Sequence, residues 1–278
     1  MSAVSIKSFV PAVGLCVGVL GVNPALAVPV PYAEDFDGDT VVNDSSGTTT
    51  NTTDLTYQTN SDIGGWNTSG GALELFANSG NTNGNGASNG VAWVEIDDDL
   101  NATGFTASTT IQFPSNGEWA STDSFIRLVV NGSGTTTFGN FDVFADGYQF
   151  VVSRGSSFGD DAFVQLWVDD TAVGSAVNIG KPSGTDLYLT FEGVIDGSGG
   201  LDLTGTLNDG SADFTVTHNV ASADLETGAY AGYAYDMFTN NDLRVNFDNL
   251  SINAIPEPGS LALLGVGSVL VCARRRNA

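Results

Sequence analysis

Between residues 28 and 255, short runs rich in Val, Ile, Phe, Tyr and Thr alternate with clusters of Gly, Asn, Asp and Ser, the pattern of strands separated by turns. Within the runs apolar positions recur every second residue, which turns one face of a strand toward a core and the other away from it. Val164, Leu166 and Val168 alternate with Phe163, Gln165 and Trp167, and Leu187, Leu189 and Phe191 alternate with Tyr188, Thr190 and Glu192. Ile126, Leu128 and Val130 alternate likewise with Arg127 and Val129, and Ala92, Val94 and Ile96 with Trp93, Glu95 and Asp97. The pattern predicts strands over 32–36, 72–76, 91–96, 105–113, 125–131, 148–154, 163–169, 187–195, 201–207, 214–218, 229–234 and 243–252. A dozen strands without helical periodicity between them predict an all-β fold of two packed antiparallel sheets. Residues 44–54 and 78–90 are rich in Ser, Thr, Asn and Gly with almost nothing to bury, and predict mobile loops. No internal repeat of fixed period interrupts this plan.

The two ends have a different character. Lys7, the uncharged and largely apolar stretch 9–22 and the small residues of Ala25-Leu26-Ala27 make the three parts of a secretory signal peptide, with cleavage expected before Val28. At the other end Pro256-Glu257-Pro258 precedes thirteen uncharged residues, 261–273, and then Arg274, Arg275 and Arg276. A helix of that length spans about 20 Å against a hydrocarbon core of about 30 Å. It therefore predicts a short membrane helix that serves transiently, with the arginines on the cytoplasmic side and the domain outside. This tripartite tail resembles the PEP-CTERM sorting signal. The resemblance implies recognition and cleavage by an exosortase-type membrane enzyme after passage through the secretion machinery, and delivery to the cell surface or exopolysaccharide matrix. A plain C-terminal anchor is the alternative, and it too leaves the domain outside. The chain thus divides into a signal peptide (1–27), a β-domain (28–254) and a sorting tail (255–278).

Charge and cysteine content narrow the partners. Between the two ends stand four basic residues (Arg127, Arg154, Lys181, Arg244) and 31 of the 32 acidic ones, so that stretch carries 4 − 31 = −27. Such a surface repels nucleic acid and anionic lipid, and leaves calcium or uncharged glycans as compatible partners. Cys16 and Cys272 both lie in the ends, so the mature domain has no disulfide and its core must hold it together.

The segments 187–193, 201–207 and 228–232, with the closing Phe247-Asp248-Asn249-Leu250, resemble concanavalin A-like jelly rolls of the kind placed ahead of PEP-CTERM tails. That resemblance implies a curved two-sheet sandwich, a fold shared by lectins, glucanases and structural modules, so the site must decide the function.

Four strands pair an aliphatic face with one bearing aromatic, amide or charged groups. Should those outer faces align, Trp93, Trp167 and Tyr188 would stack on sugar rings while Arg127, Gln165 and Glu192 bond hydroxyls. The plainer alternative is that they cover a sheet surface. Glu95-Ile96-Asp97-Asp98-Asp99-Leu100 resembles the E-x-D-x-x-E strand of laminarinase-type glucanases, whose two carboxylates flank the scissile bond. Leu100 stands where the second glutamate belongs, which predicts no catalysis there. Asp35, Asp37 and Asp39 alternate oxygen ligands as a calcium loop does, and Asp97, Asp98 and Asp99 offer another cation site. Thr40 and Ser46 depart from the EF-hand pattern, and solvated acidic loops are the plainer reading. His218 is the one histidine, expected on a strand surface, and no Gly-x-Ser-x-Gly elbow accompanies it. The residues together predict a non-catalytic, polysaccharide-contacting module, calcium being the one cofactor they offer. A purely structural matrix protein is the alternative, and a glycan-cleaving enzyme a more distant one.

Overall fold

Alternating burial turns the apolar runs into strands. A computed structural model describes residues 29–44, 47–59, 64–77, 88–113, 124–133, 146–154, 161–180, 186–237 and 243–255; the expected signal peptide and the expected sorting tail beyond residue 255 lie outside them. In chain order the strands are β1 (Tyr32–Glu34), β2 (Val41–Asp44), β3 (Gly47–Asn51), β4 (Thr56–Thr59), β5 (Gly64–Ser69) and β6 (Ala72–Ala77). They continue with β7 (Ser88–Glu95), β8 (Phe105–Gln112), β9 (Ser124–Gly132), β10 (Tyr148–Arg154), β11 (Ala162–Val168) and β12 (Thr171–Gly180). The last are β13 (Asp186–Ile195), β14 (Leu201–Asn208), β15 (Asp213–Val220), β16 (Tyr230–Met237) and β17 (Leu243–Ala254). A single helical turn, α1 (Leu100–Thr103), is capped by Asp99, whose side chain accepts from the backbone N–H groups of Asn101 and Ala102. No helix among the described residues is long and apolar enough to cross a membrane.

Two antiparallel sheets result. The larger has ten strands in the order β15-β14-β13-β8-β17-β6-β5-β2-β3, with β1 also on β17; the smaller has seven, β12-β11-β10-β9-β16-β7-β4. Every run read from alternation is a strand. The strands that alternation misses, β2 to β5 and β12, lie at or near sheet edges. Residues 44–54, expected as a loop, contain β3. Its Gly-Thr-Thr-Thr-Asn sequence has no apolar residue to bury, yet it pairs with β2, and Asn43 Nδ2 donates to Thr48 Oγ1 at 2.9 Å. Threonine suits a pleated edge without any core contact. Of the second expected loop, residues 88–90 open β7 and 78–87 lie outside the described residues.

Between the sheets the core is zipped by aromatic rings from both sides. Trp66, fully buried on the larger sheet, meets Tyr235 of the smaller sheet edge-on at 5.6 Å and Phe247 of its own sheet at 5.8 Å. Phe247 packs on Tyr233 at 4.4 Å, Phe105 on Tyr148 at 6.0 Å, and Phe191 on Phe150 at 6.1 Å. All of these pairs except Trp66–Phe247 join one sheet to the other. Such pairs are worth about 0.5–1.5 kcal/mol beyond their area burial. Glycines make room for the rings: a Cβ on Gly205 would sit 2.6 Å from the Phe150 ring, and one on Gly193 would collide with Phe105. Two phenols within the core keep partners, Tyr233 with Thr109 at 2.6 Å and Tyr57 with Thr53 at 2.8 Å, whereas the Tyr32 hydroxyl is buried without one among the described residues. Burial pushes their pKa values up, so they stay protonated.

Crowded carboxylates oppose this packing. Burial raises Glu34, Asp248 and Glu226, and neighbouring carboxylates add to each: Asp39 and Asp35 for Glu34, Asp37 and Asp35 for Asp248, Asp169 and Asp146 for Glu226. A carboxyl that holds its proton more tightly folded than unfolded favours folding where it is protonated and opposes folding above its folded pKa. Asp196 and Asp209 act oppositely: hydrogen bonds, led by Asn219 Nδ2 for Asp196 and Ser211 for Asp209, lower them. What they contribute is lost only below the ordinary carboxylate range.

Truncation of Trp66 to alanine is expected to cost about 3–5 kcal/mol in chemical denaturation. Gly205→Ala is expected to cost about 1–3 kcal/mol by overpacking against Phe150. Thermal midpoints should rise as the pH falls from neutrality toward the ordinary carboxylate range, because the raised carboxyls take up protons before ordinary ones do. A midpoint that falls over that interval contradicts the assignment.

Candidate functional site

The outward face of the smaller sheet gathers four of the six residues expected to touch glycan. Trp167 pairs with Gln149, Gln149 with Val129, Val129 with Gly232 and Gly232 with Trp93, so the two tryptophans share one row of side chains across five strands. At a strand spacing of about 4.8 Å they stand about 19 Å apart. Arg127 and Gln165 lie one row away, on either side of Val151. The face is not the open platform that the alternation predicts. Trp93 is only 8% exposed and packs with Val91, Val129, Ala234 and Tyr230 as a second apolar cluster.

Arg127 is 5% exposed and held from several sides. Its Nη1 donates to Gln149 Oε1 at 2.8 Å and to Asp170 Oδ1 at 2.9 Å, and its guanidinium lies 5.1 Å from the Trp167 ring centre and 5.7 Å from that of Phe125. Buried arginine held by a carboxylate and two rings is a fixture of the sheet surface. Gln165 is half-buried and donates through Nε2 to the Gly174 carbonyl. Tyr188 and Glu192 are on β13, in the other sheet. The six residues therefore do not share a face: period-two alternation fixes which residues of one strand point together, but not which sheet the strand joins.

A cleft of about 570 Å³ opens where β7 leaves its sheet, and Asp97, Asp98, Asp99, Asn101, Asn131 and Thr227 line it over an apolar floor that includes Ile96, Leu100 and Leu225. Its walls are tied together by hydrogen bonds over long sequence distances. Asn101 Nδ2 donates to the Glu226 carbonyl at 2.5 Å, while Asn101 Oδ1 accepts from Asn131 Nδ2 at 3.1 Å and from the Tyr148 hydroxyl at 2.9 Å. The Tyr148 hydroxyl in turn accepts from the Glu226 N–H at 2.9 Å. Asn131 adopts a left-handed conformation, φ 57°. Gly228 brings its backbone against that of Gly132 so closely that a Cβ would collide with the Gly132 carbonyl. This arrangement fixes the loop from β15 to β16 and leaves the exposed Asp97 free of any structural hydrogen bond among the described contacts. Asp98 accepts from the Val30 N–H at 2.9 Å, and Asp99 caps α1. Carboxylates and amides around a partly apolar floor suit a polyol, whose hydroxyls donate and accept while its C–H face is apolar.

The candidate calcium loop is spent on turn geometry. The Asp37 N–H donates to Asp35 Oδ1 at 3.1 Å, Thr52 Oγ1 donates to Asp39 Oδ1 at 2.7 Å, and Phe36 turns left-handed with its ring fully buried. Among the described residues no three Asp, Glu, His or Cys side chains gather as a metal ion needs, so Asp35, Asp37 and Asp39 do not converge. His218 differs from its expected place on a strand surface: it is half-buried and sits opposite Leu203, on the core-facing side of β15. Glu95 lies opposite Tyr230 on the outward face, and Leu100, in the position of a second catalytic glutamate, is buried. Asn101, Asn131 and Thr227 stand in no binding motif of the sequence; Asp99-Leu100-Asn101 as a helix-capping start is the local signal that marks the first of them.

Comparisons with known proteins agree with this anatomy. Residues 254–276 match the PEP-CTERM protein-sorting motif. No curated protein matches the sequence. Among solved structures, the seed lectin of Lotus tetragonolobus is 14% identical, with 82% of this chain and 99% of the lectin covered at a TM-score of 0.54. The basic winged bean lectin with Tn-antigen is 12% identical over 80% of this chain and 98% of its own, with a TM-score of 0.49. An alginate lyase in complex with alginate tetrasaccharide is 13% identical over 69% and 84%, with a TM-score of 0.43. The first of these likenesses carries the fold. The chain therefore joins a concanavalin A-like jelly-roll domain to a C-terminal PEP-CTERM protein-sorting motif.

Proposed function

We propose that the protein is an exported, surface-sorted module that contacts polysaccharide without cleaving it, through the cleft at Asp97, Asn101, Asn131 and Thr227. The observation that carries this reading is the cleft itself. Its volume is in the range of small-ligand sites, its polar groups are held rigidly by the Asn101–Tyr148–Glu226 network, and Asp97 stands exposed at its rim. Rigid acceptors lower the cost of ordering a flexible saccharide. The net charge of −24 favours uncharged sugars over polyuronates. A non-catalytic role is supported by the fate of the glucanase-like stretch: Asp99 is engaged in capping α1 and Leu100 is buried, so no second carboxyl faces Glu95 or Asp97 from that strand.

The sorting half of the proposal rests on Pro256-Glu257-Pro258 and Arg274, Arg275 and Arg276, with the signal peptide at 1–27 and the domain at 28–254. An exosortase-type membrane enzyme removes the tail once the arginines have stopped transfer, and the domain is released to the surface or matrix.

Two outcomes follow. Affinity for an uncharged oligosaccharide, found by titration calorimetry over a panel, should fall about ten- to a hundredfold in Asp97→Ala, since a hydrogen bond to a charged group is worth about 1.5–3 kcal/mol; equal affinities sink the cleft assignment. Mass spectrometry of the mature protein should find a C-terminus near Pro256, and an intact tail that still carries Arg274–Arg276 rules out processing.

A further inference from the structure

The outward face of the larger sheet carries an ordered hydroxyl row that neither packing nor the cleft uses. Thr215 pairs with Thr206, Thr206 with Thr190, Thr190 with Ser108 and Ser108 with Ser251, one rung on each of five adjacent strands. None of the five is buried. At about 4.8 Å per strand the row runs about 19 Å, straight across the sheet. The hydroxyls of Thr206 and Thr215 stand 3.3 Å apart, close enough to order each other. On one side the next row runs through Asp213, Asn208, Tyr188, Thr110 and Asp248; on the other it runs through Thr217, Thr204, Glu192, Thr106 and Asn253.

These three rows contain no Lys or Arg and no aliphatic side chain. Tyr188, on the middle strand of the five, is 51% exposed and is the one large apolar surface in this array. A threonine or serine hydroxyl both donates and accepts, as does a sugar hydroxyl. The three carboxylates present, Asp213, Asp248 and Glu192, accept from hydroxyls and repel anionic chains.

We propose that this face is a second glycan-contact surface, which takes an extended, uncharged polysaccharide laid across the strands along the hydroxyl row, with the Tyr188 ring stacked on one sugar. The row repeats at the strand spacing, so successive sugars of an extended chain meet successive rungs, and a rigid sheet holds every rung in place before the polymer arrives. Charge selects among polymers: no basic group stands in the array to hold a uronate or a phosphate. The surface shares its class of ligand with the cleft reading but lies on the opposite sheet, so it stands or falls separately.

The test is depletion of the full-length chain by amorphous β-1,4-glucan, with a soluble uncharged β-glucan or a polyuronate as competitor. Tyr188→Ala should weaken retention about three- to tenfold. The double variant Thr190→Val and Thr206→Val, which keeps side-chain shape and removes two hydroxyls, should weaken it about tenfold, with thermal midpoints unchanged in each. The uncharged glucan should compete and the polyuronate should not. Retention of the folded variants at the wild-type level, or no retention of wild type on any uncharged glucan, overturns the proposal. Loss in Asp97→Ala alone assigns retention to the cleft and also overturns it. Loss in the face variants with Asp97→Ala retained at the wild-type level upholds this surface and leaves the cleft to its own titration.

Discussion

Everything in this domain hangs on aromatic rings that interlock between two sheets. With Cys16 and Cys272 both in the end segments, no disulfide staples the sandwich, and the packing of Trp66, Phe247, Tyr233, Phe105, Tyr148, Phe191 and Phe150 joins the sheets, with the Tyr233–Thr109 hydrogen bond beside it. That packing explains why glycines occupy inward positions at 193 and 205, where a methyl group would strike a ring. It also reaches the cleft. Tyr148 stacks on Phe105 through its ring while its hydroxyl bonds Asn101 and Glu226, so one side chain links the core to the walls of the candidate site.

Against this cohesion works the charge. An excess of acidic groups raises the free energy of the compact state through self-repulsion, while it keeps the surface soluble and turns away other anions. The carboxyls at Glu34, Asp248 and Glu226 feel it most, each partly removed from water and facing other carboxylates. The same repulsion filters partners. An uncharged polymer meets no such penalty, and the cleft and the hydroxyl row both present acceptors rather than cations.

Alternation in the sequence reveals strands with one face in the core, because burial imposes period two on them. It misses strands that bury little, and this is why Thr48, Thr49 and Thr50 read as loop although they form an edge hairpin with β2. It misses β5 for another reason: Trp66 is buried among glycine, asparagine and threonine, with no apolar partner two residues away to make a pattern. Face assignments within a strand are legible, so Trp167 and Gln165 do point together, as do Tyr188 and Glu192. Sheet membership is decided by pairing across long separations, which local alternation does not encode, and so the six residues divide between two sheets. The cleft is less legible still. Asn101, Asn131, Tyr148 and Glu226 are up to 125 residues apart and meet only through the topology.

Hydrogen–deuterium exchange of the chain with and without an uncharged oligosaccharide tests the central claim most directly, because it locates contact without presupposing a residue. The account predicts slowed exchange at 97–101 and 225–229, the two walls of the cleft, with the buried strands unchanged. Protection absent from both walls, at concentrations where binding is saturated, would contradict it.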